Sequence, residues 1–320
     1  MVQMVGVLIF ALGIPDMFAS LGHGAHVDNT VMVFGYVVMR VPMVFQWARA
    51  ARQDPEHAAA CRIYIVTILL AQVGWVVLLF AHTGIAATAA WFVILVLVET
   101  AGPAIAERRA GGTPWHAHHI AERYGLLVII TLGETLIGTM ATLTPLVGPD
   151  GPGWSLDVAV RGLAGTALTF GMWWIYFVVP SGEILAARRE RTWGWGYGHI
   201  PIFGAIVATG AGVHVAAYLI EDKTILSPFE TMLTVAIPVF IFLIGVYLLY
   251  SHFTRSIDPF HYLLVALSIL VLIASLAMAK ADVAFHWCLL VLALTPWVSV
   301  AGYELRGHRH NAEVLERLET

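Results

Sequence analysis

Residues 118–138 read HHIAERYGLLVIITLGETLIG, and this stretch decides the fold class of the chain. It places a carboxylate, Glu134, inside a long apolar run. On a helix that starts near Ile120, Glu134 lies about 21 Å along the axis, well inside a hydrocarbon layer roughly 30 Å thick. Because a carboxylate is costly in lipid, we expect Glu134 to face protein or water.

The composition of the whole chain also indicates a membrane protein. Of its 320 residues, 59% are apolar and 12% are charged, and the mean hydropathy is +0.80, far from the values of soluble domains. The net charge of −4 disfavours nucleic-acid binding, so no nucleic-acid partner is predicted. The two cysteines, Cys61 and Cys288, form no metal or redox motif, and neither a metal nor a cofactor is predicted.

Ten segments are long and apolar enough to span a membrane, and their length without period-two alternation predicts helices. The predicted fold class is therefore all-α, a polytopic transmembrane helix bundle of about ten helices. The predicted spans are residues 2–20, 31–48, 62–81, 84–105, 120–142, 157–180, 199–220, 229–251, 260–279 and 283–304.

The basic residues orient the predicted bundle. Most of the 17 Lys and Arg residues flank one set of alternate loops or lie in the tail, whereas Arg161, Lys223 and Lys280 fall on the other side and Arg40 lies within a helix. The positive-inside rule then predicts that both termini are cytoplasmic. The residues on the cytoplasmic side are Arg49, Arg52, Arg62, Arg108, Arg109, Arg123, Arg188, Arg189, Arg191, Arg255, Arg306, Arg309 and Arg317.

The segment spacing predicts an internal repeat. The starts of the first four predicted helices recur in the last four at an offset of about 198 residues. This favours a 6+6 architecture of parallel repeats, with the first two helices of the first repeat absent; the alternative is the regular spacing of any bundle. The predicted organisation is helices 1–4 in residues 1–105, a cytoplasmic loop at 106–119, helices 5–10 in 120–304 and a cytoplasmic tail at 305–320.

The pattern His-x-x-Glu-Arg-(Phe/Tyr)-Gly-Leu followed by Leu-Gly-Glu resembles the signature of the bacterial low-temperature-requirement A family of integral membrane proteins. Residues 119–126 and 132–134 carry it here. The resemblance implies a multi-pass protein of the bacterial inner membrane, in a family that usually has two further helices ahead of the first one here. Other similar positions follow in the family's order: Ile14-Pro15-Asp16 with Phe18, Arg40, Asp54-Pro55, Glu99-x-x-Gly102-Pro103 and Trp173-Trp174.

Charged side chains inside the predicted spans are the candidates for chemistry. Asp16, Arg40 and Glu134 fall in the outer half of the membrane in the predicted orientation, and Glu99 falls in the inner half. Asp16 and Glu134 are therefore the depth-matched partners expected for Arg40. His214 is a further candidate. A pathway for a solute, ion or proton and a purely structural ion pair are both compatible with this placement.

Two local features of the quoted stretch carry further predictions. Glu134 has the chemistry of a proton carrier or of a neutral carboxyl bonded to a backbone carbonyl, and Gly133 beside it predicts close approach of a helix or water. His119, Glu122 and Arg123 occupy one face of a first helical turn at the cytoplasmic mouth. The pattern favours a capped, solvated helix entrance over a metal site, and no metal is predicted.

The leading functional prediction is a transporter or channel for a small solute or ion, with proton coupling left open. The first alternative is an intramembrane enzyme acting on a lipid or isoprenoid, with residues 116–123 as its head-group site. The second is a non-catalytic membrane-adaptation factor. The sequence favours a non-enzymatic role without deciding it. The partners expected are membrane lipids and a small solute or ion, and homo-oligomerisation is left open.

Overall fold

The computed structural model consists of helices and connecting loops in the part of the chain that it describes, without a strand. Ten helical stretches in this part are long and apolar enough to cross a membrane, which confirms the predicted all-α bundle. The chain is a multi-pass membrane protein. Arg255, Arg309 and Arg317 of the orientation argument lie outside the described residues. The structure describes residues 1–23, 26–109, 112–149, 151–254, 259–308 and 316.

Thirteen α-helices make up these spans, with a short 3₁₀ segment at Arg189–Arg191 and a π-helical turn at Tyr303–Gly307. The α-helices are α1 (Val2–Leu12), α2 (Ile14–His23), α3 (Thr30–Gln53), α4 (Ala58–Ala81), α5 (Ile85–Arg109), α6 (Ala117–Val147), α7 (Leu156–Phe177), α8 (Ser181–Ala187), α9 (Thr192–Ile220), α10 (Pro228–Thr254), α11 (Pro259–Lys280), α12 (Phe285–Ala293) and α13 (Thr295–Gly302).

Prolines within the predicted spans predict interrupted helices, and the first and last spans are each interrupted. These prolines are Pro15, Pro42, Pro103, Pro238 and Pro296. Gly13 separates α1 from α2, and Leu294 separates α12 from α13. Each break lies two residues before a proline, Pro15 or Pro296. Because proline has no N–H, the carbonyl four residues earlier loses its helical hydrogen bond, and the helix is interrupted between that carbonyl and the proline. The same prediction was wrong for Pro42, Pro103 and Pro238, which lie inside the continuous α3, α5 and α10.

The helix that carries the quoted motif is longer than its apolar run. The apolar pattern predicts residues 120–142, whereas α6 extends over Ala117–Val147. Ala117, His118 and His119 therefore form the first turn of the helix, because a helix continues into the interfacial region where water satisfies its free N–H groups.

Contacts within the chain form two compact units, Met1–Trp115 and His116–Thr320. In the first unit, α1 packs on α3, α3 on α4, and α4 on α5. Glycine permits the α1–α3 contact, because a Cβ at Gly35 would lie 2.4 Å from the backbone nitrogen of Phe10. The correspondence of these units to sequence repeats stays a prediction. The buried core of the first unit includes Val33, Trp75, Leu78 and Leu95.

The second unit is built around α6, α9 and α10. The contacts of α9 are with α6 and α10, while α7 packs against α6 and α12, and α11 against α10, α12 and α13. The interior is apolar and closely packed, so this unit positions its polar side chains rigidly. Fully buried members of its core include Leu168, Met172, Ile202, Ile206 and Phe242.

Large apolar side chains remain exposed along the outer faces of the spans. Such faces are unfavourable in water and neutral in lipid, so they agree with a membrane location. Examples are Phe34, Phe45, Phe80, Leu97, Leu126 and Ile130.

Candidate functional site

Four polar side chains meet inside the spans of the first unit. Tyr36 and Arg40 on α3, Gln72 on α4 and Glu99 on α5 form what we call the Glu99 cluster. Arg40 donates from Nη2 to Glu99 Oε2 at 2.9 Å, and Gln72 donates from Nε2 to Glu99 Oε1 at 3.2 Å. The Tyr36 hydroxyl donates to the same Oε2 and accepts from Arg40. The carboxylate is therefore held by side chains from two other helices.

The local geometry of α3 explains why Tyr36 and Arg40 act together. They are four residues apart and therefore share one face of the helix. The Arg40 guanidinium carbon lies 4.6 Å from the centroid of the Tyr36 ring, a cation–π contact. The side chains of Arg40 and Glu99 are only 23% and 16% exposed. A sheltered arginine–carboxylate pair is a physically reasonable way to hold both charges within a span.

The partner expected for Arg40 from membrane depth was wrong. Arg40 pairs with Glu99, while Asp16 is exposed on α2 and Glu134 belongs to the second unit. Arg40 lies about 15 Å along α3 and Glu99 about 21 Å along α5, so their backbone depths differ by roughly 6 Å. The arginine side chain is long and flexible enough to span that difference. Backbone depth alone therefore does not identify its partner.

A cavity of about 530 Å³ lies beside the Glu99 cluster within the first unit. Tyr36 and Glu99 line it, and Arg40 lies outside the lining. Along α5 the lining runs from Ile85 to Glu99, a length of about 21 Å. Both its volume and its mostly apolar walls are typical of sites for small molecules. The other large side chains that line it include Phe10, Met17, Met32, Trp75 and Phe92.

Three buried polar atoms at this site have no hydrogen-bond partner among the residues that the structure describes. They are Trp75 Nε1, Gln72 Oε1 and Arg40 Nε. The first two residues are each 8% exposed, so bulk water does not satisfy these atoms. An unpaired buried polar atom lowers the stability of the fold, so this site is held together at some energetic cost.

Glu134 lies half-buried in the second unit, where α6 meets α9. A Cβ at Gly210 of α9 would lie 2.8 Å from Glu134 Cγ and 2.6 Å from its carbonyl carbon. The α9 backbone at Gly210 is therefore in close contact with Glu134. Within the described part of the chain, the Glu134 carboxylate has no hydrogen-bond or ion-pair partner.

The close approach of α6 and α9 depends on Gly138 and Gly210. The predicted approach of a helix at Gly133 was wrong, whereas the approach of water there stays a prediction. A Cβ at Gly138 would lie 2.7 Å from the Gly210 carbonyl oxygen, whereas no described atom comes within 4 Å of that position at Gly133. Five residues turn a helix by about 140°, so Gly133 and Gly138 face different directions. His214 lies at the same interface, and its backbone nitrogen is 3.2 Å from the Cβ position of Gly138.

The predicted cytoplasmic-mouth group is found in the first turns of α6. His119, Glu122 and Arg123 are all exposed there, with His119 Nδ1 3.8 Å from Glu122 Oε2. The His116 ring lies 5.1 Å from that of His119. Among the described residues, no three His, Cys, Asp or Glu side chains converge as metal ligands.

The comparisons with known proteins agree with this architecture. The model of the bacterial low temperature requirement A protein (LtrA) family matches residues 1–296. This chain belongs to the LtrA family. It is 25% identical over 242 residues to the uncharacterized protein RA0937 of Rhizobium meliloti (strain 1021), an alignment that covers 70% of this chain and 53% of that protein. The chain spans about half the length of this curated relative. No solved structure matches it.

The LtrA-like motif of α6 has a buried part as well as an exposed one. Its Tyr124 ring lies 4.6 Å from the Trp195 ring and 4.9 Å from the ring of the fully buried His199. His199 Nε2 is 2.9 Å from the Tyr176 hydroxyl, and its Nδ1 is 2.7 Å from the Trp195 carbonyl oxygen. Both ring nitrogens are therefore satisfied, and this part of the motif joins α6, α7 and α9.

A second LtrA-like position, Asp54, has a structural role outside the spans. His57 Nδ1 lies 2.8 Å from Asp54 Oδ2, and this hydrogen bond holds the pKa of the Asp54 carboxyl below its usual range. The His57 backbone N–H donates to Asp54 Oδ1 at 3.3 Å. Asp54 thus stabilises the short turn between α3 and α4.

Four residues were not predicted from the sequence. The structure places Tyr36, Gln72 and Trp75 at the Glu99 cluster and its cavity, and His199 beside the LtrA-like motif of α6. A signal existed for two of them. Tyr36 lies one helical turn before Arg40, and Gln72 interrupts an otherwise apolar run. Trp75 gave no comparable signal, because aromatic residues are common in membrane helices, and His199 gave none because it is the first residue of a predicted span, at the membrane interface.

Proposed function

We propose that this LtrA family member moves a small ion, or a solute coupled to protons, across the bacterial inner membrane. Glu99 is the group that binds the ion or proton. The observation that carries this proposal is a carboxylate at one end of a cavity of about 530 Å³, paired with Arg40 inside the spans. Intramembrane ionisable groups that line cavities mark pathways of ions and protons in other membrane proteins.

In the proposed mechanism, the Glu99 carboxylate exchanges Arg40 for a proton or a small cation. An ionised Glu99 is held by Arg40, and a proton or small cation that binds the carboxylate competes with the guanidinium. Since the Arg40–Glu99 pair links α3 to α5, its loss allows these two helices to shift. Asp16, on α2 of the same unit, is proposed as a further polar position of this pathway. Glu134 and His214, at the α6–α9 interface of the second unit, are proposed separately as candidate ion or proton positions.

Replacing Glu99 with glutamine is expected to reduce transport about tenfold or more, because glutamine keeps the size and one acceptor oxygen of the side chain but lacks the exchangeable proton and the charge. The full chain is reconstituted in liposomes. Currents are recorded on a solid-supported membrane after concentration jumps of H⁺, Na⁺, K⁺ and NH₄⁺. The wild type should give a current with at least one of them.

Glu122→Gln is the matched control, since the Glu122 side chain is 68% exposed at the start of α6, and it should retain wild-type currents. The proposal is wrong if the wild type resembles protein-free liposomes with every ion, or if Glu99→Gln transports normally. A change in membrane lipid composition that is lost in His119→Ala would favour the lipid-modifying enzyme instead. Normal growth in the cold with a transport-inactive variant would favour the membrane-adaptation factor.

We also propose cytoplasmic termini, on the basis of the uneven distribution of the 17 Lys and Arg residues. Alkaline phosphatase fused to the C-terminus in a bacterial host is expected to be inactive, and a green fluorescent protein fused there is expected to fluoresce. A fusion truncated after Asp222, between α9 and α10, is the control and should have phosphatase activity. The reverse pattern would contradict the proposed orientation.

A further inference from the structure

The cavity of the first unit is bordered by a row of aromatic rings that is joined to the Glu99 cluster. The helices α1, α3, α4 and α5 each contribute one ring, and the centroids of neighbouring rings lie 6.4, 6.1 and 5.6 Å apart. These rings line the cavity and belong, in this order, to Phe10, Tyr36, Trp75 and Phe92. The Tyr36 hydroxyl donates to Glu99, so the carboxylate is directly attached to the row.

Two of the lining groups already bind a delocalised cation. The Arg40 guanidinium donates to the Glu99 carboxylate at 2.9 Å, and its carbon lies 4.6 Å from the centroid of the Tyr36 ring. Both Glu99 and Tyr36 line the cavity, whereas Arg40 lies outside the lining. A second cation inside the cavity would therefore meet the same carboxylate and the same ring, in competition with Arg40.

The lining favours a positively charged ligand over a negatively charged one. Glu99 is the sole charged residue among the described residues that line the cavity. The faces of aromatic rings carry partial negative charge, which attracts cations and repels anions. An anion in the cavity would also be repelled by Glu99 without gaining a cationic partner from the lining.

The apolar part of the lining favours a bulky and lipophilic ligand. Phe92 and Val93 of α5 line the cavity and are each 55% exposed, so the cavity is not closed off from its surroundings, which within a span are lipid. The volume of about 530 Å³ is that of a site for a whole organic molecule. Since the desolvation cost of an ion falls as its radius grows, a large organic cation is the charged ligand that such walls accept most readily.

We propose that this cavity binds a bulky, lipophilic, monovalent organic cation, with its charge beside Glu99 and its apolar groups against the row of rings. This inference rests on the proposed function and narrows it, because the organic cation is the solute that is exchanged for a proton at Glu99. The bound cation takes the place of Arg40 at the carboxylate. When the cation leaves, the carboxylate either returns to Arg40 or takes up a proton.

Equilibrium dialysis of tritiated tetraphenylphosphonium against the full chain in detergent micelles tests the site, with protein-free micelles as the blank. Saturable binding is expected. The competitors are methyltriphenylphosphonium and triphenylphosphine oxide, which have the same three phenyl rings and nearly the same size, although only the first is charged. The cation should compete about tenfold better or more, because the carboxylate and the ring faces recognise its charge.

Glu99→Gln removes the charge that attracts the cation, so binding should weaken about tenfold or more. Glu122→Gln is the matched control, because the Glu122 side chain is 68% exposed at the start of α6, and it should bind like the wild type.

Phe92→Leu removes one ring of the row and keeps a large apolar side chain, so binding should weaken about fivefold. Phe80→Leu is the matched control, because Phe80 is 73% exposed on α4 and does not line the cavity, and it should leave binding unchanged. Phe92 is itself exposed, so its variant is expected to fold and tests the site even if Glu99→Gln does not fold.

Three results would overturn the inference: no saturable binding, equal competition by the phosphine oxide, or wild-type binding by either Glu99→Gln or Phe92→Leu. Its failure is distinguishable from that of the proposed function. A chain that binds tetraphenylphosphonium through Glu99 without carrying any current would refute the proposed function alone. Currents that depend on Glu99 in a chain without this binding would refute the organic-cation site alone.

Discussion

Arg40→Met is expected to lower the free energy of unfolding by about 3 kcal/mol, because it leaves the Glu99 carboxylate without its counter-charge inside a span. The two side chains are mostly sheltered, at 23% and 16% exposure, so solvent compensates little of the loss. The double variant Arg40→Met with Glu99→Gln has no unpaired charge. It should regain most of the lost stability, since a neutral replacement of a buried pair is often tolerated.

The measurement is a double-mutant cycle of unfolding in mixed micelles, with the fraction unfolded followed as denaturing detergent is added. Arg123→Met is the matched control, because Arg123 is exposed at the start of α6, and it should change the free energy of unfolding by less than about 0.5 kcal/mol. Equal effects of Arg40→Met and Arg123→Met would show that the ion pair does not support the fold. A stable double variant without transport would separate the structural role of the pair from its functional one.

Gly210→Ala is expected to destabilise the second unit by about 2 kcal/mol or more. The added methyl group would lie 2.6 Å from the carbonyl carbon of Glu134 and 2.7 Å from the backbone nitrogen of Thr135. These are backbone atoms, so the contact is relieved only if α6 and α9 move apart. That movement would open the packed interface on which the position of Glu134 depends.

Gly204→Ala, on the same helix, is the control for this substitution. No described atom lies within 4 Å of the Cβ position at Gly204, so the methyl group meets no steric obstacle. Alanine is the better helix former by up to about 1 kcal/mol, and this variant should be neutral or slightly more stable. Similar unfolding midpoints for the two variants would contradict the backbone contact between α6 and α9. Thermal unfolding followed by the loss of helical circular dichroism provides an independent reading.

The spans were predictable because their signals are local. The apolar run at residues 120–142 has the length and hydropathy of a membrane helix whatever surrounds it, and the same holds for the other nine predicted spans. The two helix breaks are local as well, since Pro15 and Pro296 remove hydrogen bonds from their own helices. The hydropathy pattern alone did not show them, because proline interrupts a helix without making it polar.

The candidate site was only partly predictable. Arg40 and Glu99 were identified, because a charge in an apolar run has few explanations apart from a functional or structural ion pair. Their pairing was not, since it depends on the reach of one side chain and on the rotation of α3 and α5. Trp75 and the cavity were not predictable either, since the neighbours of Trp75 come from other helices.

The sequence by itself determined that this chain is a ten-span helical membrane protein of the LtrA family, and which charges lie within its spans. The tertiary structure decided that Arg40 pairs with Glu99, that this carboxylate lines one end of a cavity, and that the α9 backbone at Gly210 contacts Glu134. The physical reason is that hydropathy and helix formation depend on neighbours along the chain. Partners across helices depend on how the helices rotate and pack against one another, which no single stretch of sequence specifies.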